Sequence, residues 1–390
     1  MDLIDTLVIG AGQSGLATAH ALGQQEIAPV LLEAGDAPTG AWPNYYDSLT
    51  LFSPARYSAL PGMPFPGEPD RYPHRDEVIA YLAAYAERLD ADLRTGHRVQ
   101  TLTHDDGIFT AHLADGRALH ARTVVAATGG FTNPHRPALP GLDTFTGTVL
   151  HAADYRRPEP LTGQRVIVVG GGNSAIQIAV ELAERARVTV TTRGRLRFAP
   201  QRPLGRDLHF WYTITGLDTA PIGRFLTHPP TVPVLDTGRY RRAITGGRPD
   251  HRPMFARLDG DRVHWSDGTT EQVDAIILAT GYRPALDYLT GLNLLDQHGH
   301  PRHRSGIATS LPGLGFVGLE WQRSLSSASI RGVGRDAARI ASSLAKVAGS
   351  PNPVFPQVVL DAAAKRKAGT KNDLPLTGLD LPDGPRESTS

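Results

Sequence analysis

The chain has 390 residues, 40% of them hydrophobic and 20% charged, enough for two or three domains of a globular protein. Lys and Arg number 40 against 39 Asp and Glu, so a net charge of +1 supplies no field favouring nucleic acid. Cysteine is absent, which excludes disulfides, thiolate metal sites, iron–sulfur clusters, cysteine nucleophiles and redox dithiols together.

The first predicted element is a short strand, Leu7-Val8-Ile9, which runs directly into glycine without the basic start and long apolar stretch of a signal peptide. No segment approaches the roughly 20 apolar residues of a membrane helix. A cytoplasmic location is therefore the expectation. The strand meets Gly10-Ala11-Gly12-Gln13-Ser14-Gly15, an alanine-rich helix follows, and the next strand, Val30-Leu31-Leu32, ends in Glu33. This order suits a dinucleotide: Gly10 permits the turn, Gly12 lets backbone approach a pyrophosphate, and Gly15 lets helix and strand pack closely. Glu33 would accept hydrogen bonds from a ribose. Residues 40–75, rich in proline and aromatics, read as a long ordered insertion. A helix is predicted over Asp76 to Leu89, with Val78, Ile79, Leu82 and Tyr85 on one face. Hairpin signals at Asp106-Gly107 and Asp115-Gly116 precede an apolar strand ending in Thr128-Gly129.

The pattern then repeats. Val166-Ile167-Val168-Val169 leads into Gly170-Gly171-Gly172-Asn173-Ser174-Ala175 and a helix. Turns at Asp259-Gly260 and Asp267-Gly268 precede a strand ending in Thr280-Gly281. Two nucleotide-binding α/β units explain this echo. Ala175 is an accepted variant of the third glycine. The strand Val188 to Thr192 ends not in an acid but in Arg193, with Arg195 close behind. Arginine can pair with a 2′-phosphate, so NADPH is expected over NADH; the alternative leaves both arginines as solvated surface residues. Ser14 and Ser174 lack the turn and chain order of a hydrolase triad and are expected at phosphate. His298, His300 and His303 surround Gly299 and Pro301 in a predicted turn without carboxylate ligands, and no metal is expected there. Residues 198–256 have weak periodicity and no assignable elements. Beyond Pro351, proline, glycine and charge dominate, with one candidate helix from Val358 to Lys365 and a solvated tail.

Between the loops lies Phe145-x-Gly147-x-x-x-His151-x-x-x-Tyr155. Here the sequence resembles the flavin-containing monooxygenases, whose fingerprint has this form and position. Gly40-Ala41-Trp42, Tyr72-Pro73, Pro137 to Gly141 and Leu278 to Tyr282 match the same family, and the resemblance covers roughly residues 5–340. It implies an α/β fold with two Rossmann-like dinucleotide-binding domains, an FAD domain with an inserted NADPH domain. The expected boundaries are 1–155 and 282–350 for the FAD part, 156–281 for the NADPH part, and 351–390 for a C-terminal segment. FAD would lie on Gly10, Gly12, Gln13, Ser14, Gly15, Glu33 and Trp42. NADPH would lie on Gly170, Gly172, Asn173, Ser174, Ala175, Arg193 and Arg195. Thr128, Gly129, Thr280 and Gly281 complete the cofactor-binding set, while His151 and Tyr155 serve domain linkage and NADPH placement with no acid–base role. The implied chemistry is oxygen transfer from molecular oxygen, through a C4a-(hydro)peroxyflavin, to nitrogen, sulfur or a metalloid in a small-molecule substrate. A homodimer is a candidate assembly.

Phe52 stands where animal-type members have an asparagine near the flavin, and Tyr155-Arg156 lacks the Trp-Pro of Baeyer–Villiger enzymes. The stretch Ser324 to Ala337 is similar to the returning flavin segment of bacterial flavoproteins associated with metal resistance and cation transport. Three alternatives stay open: a flavin reductase or oxidase without oxygen insertion, a Baeyer–Villiger enzyme, and a flavin-binding redox sensor or efflux accessory protein.

Overall fold

Runs such as Leu7-Val8-Ile9 and Val166 to Val169 lack polar alternation because their strands are covered on both faces, as in a parallel sheet flanked by other layers. The computed structural model describes residues 3–226 and 232–348. The first stretch holds β1 (Leu3–Ile9), α1 (Gln13–Gly23), β2 (Val30–Leu32), α2 (Arg75–Ala86), β3 (Asp92–Arg94), β4 (Val99–Asp105), β5 (Ile108–Leu113), β6 (Ala118–Ala126) and β7 (Asn133–Pro134). The second holds β8 (Thr148–His151), β9 (Arg165–Val169), α3 (Asn173–Leu182), β10 (Arg187–Thr192), β11 (Phe198–Pro200), α4 (Leu208–Thr215), β12 (Val234–Asp236) and α5 (Arg239–Thr245). It continues through β13 (Asp250–Pro253), β14 (Arg257–Asp259), β15 (Arg262–His264), β16 (Thr270–Gln272) and β17 (Ala275–Leu278). The last holds β18 (Tyr282–Arg283), β19 (His303–Arg304), β20 (Ile307–Ala308), β21 (Leu314–Phe316) and α6 (Ile330–Ala348).

The first sheet runs β19-β20-β21-β6-β1-β2-β3, with the β4–β5 hairpin joined to β6. Its central pairings, from β21 to β3, are parallel. The second sheet, β13-β10-β9-β17-β8, is parallel throughout. Helices α1, α2 and α6 bury Leu16, Leu22, Leu82 and Ile340 on one face of the first sheet, while α3 covers the second. The β14–β16 meander closes the second sheet's other face with Phe255, Leu258 and Trp265. The chain is thus an α/β protein with two dinucleotide-binding domains, and β21 and α6 return to the first after the second is built.

The helix expected over Asp76 to Leu89 runs from Arg75 to Ala86, and its buried face is Val78, Tyr81, Leu82 and Tyr85, with Ile79 half-buried. The shift has a cause in the insertion. Tyr81 Oη accepts from Leu60 N at 2.7 Å and donates to Met63 O at 2.6 Å, and its ring stacks on Phe65 at 4.6 Å. The histidine turn also differs from expectation, because Asp296 supplies a carboxylate. It accepts from the backbone N–H groups of His298 and His300 and lies 3.7 Å from His300 Nδ1. The candidate helix Val358 to Lys365 and the tail lie outside the described residues. Among the described residues, no helix is long and apolar enough to cross a membrane.

Candidate active site

Each glycine loop sits at the carboxyl end of its sheet, where open α/β folds bind ligands. Gly10 adopts φ +101° and lies so close to the end of the closing strand that a Cβ would stand 2.7 Å from Ala127 O. Gly170, at φ +142°, repeats this against Ala279 O at 2.3 Å. Only glycine fits either approach. Gly15 packs on the loop beneath, since its Cβ would fall 1.8 Å from Gly10 O, whereas Ala175 is accommodated fully buried.

Gly12 is the N-cap of α1 and Gly172 that of α3, and neither supplies a side-chain capping hydrogen bond. Uncapped N-terminal N–H groups at the positive end of a helix are the donors a pyrophosphate needs. Beside the first, Glu33 accepts from Ala11 N at 2.8 Å and Gly35 N at 2.9 Å, bracing the loop while keeping acceptor capacity for ribose hydroxyls. Trp42 Nε1 donates to Gln13 Oε1 at 3.0 Å, and Ser14 lies under Gly318, a neighbour from the returning segment that sequence reasoning missed. Thr128 Oγ1 donates to Ala285 O at 2.9 Å, and a Cβ on Gly129 would meet nothing within 4 Å. Beside the second, Asn173 Oδ1 accepts from Leu235 N at 3.0 Å, and Gly172 and Gly281 both face open space. Arg193 and Arg195 are exposed at the carboxyl end of β10. These donors, carboxylate and cations fit one dinucleotide per loop. Bound there, flavin would accept hydride from the nicotinamide and pass electrons to oxygen.

The two crossovers touch. β7 and β18 pair antiparallel, Thr280 Oγ1 donates to His135 O, and His135 N donates to Gly281 O at 2.9 Å. His151 is fully buried beside them. Its Nε2 donates to Gly281 O at 3.1 Å and its Nδ1 accepts from Ala153 N at 3.0 Å, an arrangement that requires the neutral ring. Burial pushes its pKa down accordingly. Tyr155 lies apart from this cluster, inside the core of the second sheet. Its Oη donates to Glu181 Oε2 at 2.9 Å, and its ring packs 6.3 Å from Tyr46, whose Oη donates to Gln177 on the same helix.

A further cluster escaped sequence reasoning because its parts come from distant segments. Tyr72 Oη donates to Asp207 Oδ2 at 2.7 Å, and Gln201 Nε2 donates to Phe52 O at 2.7 Å. Phe52 is 44% exposed, with its ring 6.2 Å from the buried ring of His209.

Two nucleotide sites on joined sheets define a class, the two-domain flavoprotein oxidoreductases that take hydride from a pyridine nucleotide. The family described as pyridine nucleotide-disulphide oxidoreductase matches residues 7–210, and the chain belongs to it. An oxidoreductase of Geobacillus kaustophilus described as CzcO-like is 35% identical over 341 residues, covering 86% of this chain and 96% of the relative. Indole-3-pyruvate monooxygenase YUCCA1 of rice is 32% identical over 310 residues, covering 71% and 76%. The solved flavin-containing monooxygenase of Stenotrophomonas maltophilia superposes with a TM-score of 0.78 at 33% identity, covering 89% of this chain and 99% of that one. The protein is an NADPH-dependent flavoprotein monooxygenase that uses FAD and NADPH. With no cysteine in the chain, the disulphide chemistry in the family's description has no residues here to carry it.

Proposed function

We propose that this monooxygenase transfers one oxygen atom from O2 to a soft nucleophile, nitrogen, sulfur or a metalloid, on a small molecule. Oxygen activation belongs to the reduced flavin; the protein positions the partners and keeps water out. The observation that carries the reading is Phe52. Its exposed ring forms a neutral, apolar wall where segments of the two domains meet, a surface suited to an uncharged nucleophile. The absence of Trp-Pro after Tyr155 supports the same choice over ketone chemistry. In this reading residues 1–155 and 282–350 carry FAD and residues 156–281 carry NADPH. His151 and Tyr155 hold the domain junction, and Arg193 and Arg195 select the 2′-phosphate.

Incubation with NADPH and ¹⁸O-labelled oxygen tests the proposal on a panel of tertiary amines, thioethers, arsenite, ketones and the α-keto acid named for the rice relative. Label in an amine, thioether or arsenic product is the expected result. Label confined to esters or decarboxylated acids would replace the reading with carbonyl oxygenation. Hydrogen peroxide as the sole oxygen product would leave a flavin reductase or oxidase.

A further inference from the structure

The two sheets send out equivalent excursions. Residues 33–74 leave the carboxyl end of β2, the neighbour of the first glycine-loop strand, and residues 193–226 leave the carboxyl end of β10, the neighbour of the second. The two excursions meet where Tyr72 and Phe52 of the first touch Asp207, Gln201 and His209 of the second. Asp207 is the hub of this meeting point. One carboxylate oxygen accepts from His209 N at 2.8 Å and from His209 Nδ1 at 2.7 Å. The other accepts from Tyr72 Oη at 2.7 Å and Gln201 Nε2 at 2.9 Å. An N-cap for α4 needs only the first of these four bonds. The remainder hold the imidazole in one orientation, between Phe52 at 6.2 Å and Tyr57 at 6.3 Å, with Tyr212 edge-on at 5.9 Å.

Burial works to raise the Asp207 pKa, but the bonds from His209, Gln201 and Tyr72 outweigh it and bring the group to about 2. An ionised acceptor at Nδ1 makes that nitrogen the hydrogen-bearing one, so the neutral ring keeps its lone pair on Nε2. His209 is 2% exposed, yet Nε2 carries no hydrogen bond. Among the described residues, the sealed side-chain polar atoms left without a partner are Tyr288 Oη and Asp336 Oδ2. His209 Nε2 is therefore unbonded without being fully sealed from solvent. Other ionisable groups at the hub include the phenols of Tyr57, Tyr72 and Tyr212, and Arg202, which sits 5.8 Å over the Tyr72 ring; Arg331 and Asp218 act on Tyr212 and Asp70 on Arg202.

We infer that Asp207 and His209 form the base that deprotonates the substrate's nucleophile; the inference rests on the heteroatom reading above. An ammonium nitrogen has no free electron pair with which to attack oxygen. The N–H bond breaks, its electron pair stays on nitrogen, and the proton passes to His209 Nε2. The resulting imidazolium is stabilised through Nδ1 by Asp207, and the proton leaves to water at the end of the cycle. No electron changes owner in this step. The neutral amine is also the form that an apolar Phe52 wall admits.

Benzyldimethylamine, a cation at neutral pH, and thioanisole, which has no ionisable proton, separate this role from a fastening one. In FAD-loaded His209→Gln, the ratio of amine to thioether kcat/KM at pH 7 falls by about a hundredfold, a middling contribution for a general base. That ratio recovers as pH rises to the amine's own pKa. An unchanged ratio, whether both rates fall or neither does, overturns the inference. A second readout needs no turnover: ¹⁵N-imidazole spectra of the FAD-loaded protein, with His209 assigned by its loss in His209→Gln. Benzyldimethylamine hydrochloride at pH 7 protonates Nε2, thioanisole does not, and Tyr72→Phe weakens the response while keeping the ring in place. No change at Nε2 on adding the amine overturns the base. A wild-type enzyme whose flavin NADPH reduces, but which oxygenates neither compound, defeats the heteroatom reading instead.

Discussion

A methyl group placed on Gly170 collides with Ala279 O at 2.3 Å, whereas one on Gly172 meets nothing within 4 Å. Two glycines of one loop therefore serve different ends, one the fold and the other the approach of a ligand. Gly170→Ala should lower stability by about 1–3 kcal/mol, the usual cost of overpacking, as read by urea unfolding. Gly172→Ala should keep the urea midpoint and slow flavin reduction at subsaturating NADPH. Arg193 and Arg195 allow a companion measurement. The double alanine variant should lose roughly 1.5–3 kcal/mol of NADPH preference over NADH per charge-assisted contact, read from the two coenzymes' reduction rates. An unaltered ratio would leave both arginines as surface charges. The loops were legible in the sequence because glycine spacing, strand and helix lie within a few residues of each other. The Asp207 hub was not, because its partners stand 135 and 149 residues away along the chain, as Tyr72 to Asp207 and Phe52 to Gln201.

At the scale of elements, the stretch that resisted sequence reading, residues 198–256, is built of short pieces tied to distant segments among the described residues. Strands β11 and β12 are three residues long and pair only with each other, too short for any periodicity to register. Past α4, residues 216–226 fasten to the segment leading into α6. Gly223 N donates to Arg323 O at 2.9 Å, Ser326 Oγ donates to Asp218 O at 2.7 Å, and Arg331 Nη2 reaches Asp218 at 2.8 Å. The Arg331–Asp218 side chains are only 13% and 10% exposed, so removing one strands the other's charge. Asp218→Ala should cost about 3 kcal/mol in urea unfolding, and an Asp218→Leu, Arg331→Met pair should recover most of it. If the double variant is no better than the single one, the pair's role is more than mutual neutralisation. The same reasoning explains α2. Its 3.6-residue pattern was readable, and Val78, Leu82 and Tyr85 lie on the buried face as expected; Tyr81 joins them because the insertion reaches back to it.

At the scale of the molecule, burial lowers the pKa of five histidines among the described residues, His104, His135, His151, His251 and His303. Each binds a proton more readily unfolded than folded, so the unfolded chain gains protons first as pH falls below the ordinary histidine value of about 6.5. Stability should therefore decline from neutral pH through mildly acid pH, before carboxylates such as Asp207 lose their contribution below about 4. Urea midpoints over a pH series measure the decline, and His151→Gln should make its slope between pH 7 and 5.5 shallower. A slope identical to wild type would mean that this ring takes up a proton in the folded protein as easily as in the unfolded one. The order of the two sheets was legible at this scale, since each keeps its loop, hairpin turns and Thr-Gly ending in the same sequence.

The pairing of β7 with β18 carries one more consequence. Asn133 faces Arg283 and Pro134 faces Tyr282 across two hydrogen-bonded strands, so the second nucleotide domain starts and finishes at neighbouring points. In topological terms it is the enlarged loop of a β-hairpin. Lengthening such a loop adds only about 0.6 kcal/mol of closure entropy per doubling. A coenzyme module can thus be lodged in, or exchanged from, an existing flavin fold without re-threading any strand of the host sheet. The arrangement gives evolution a socket, and the paired crossovers are its rim.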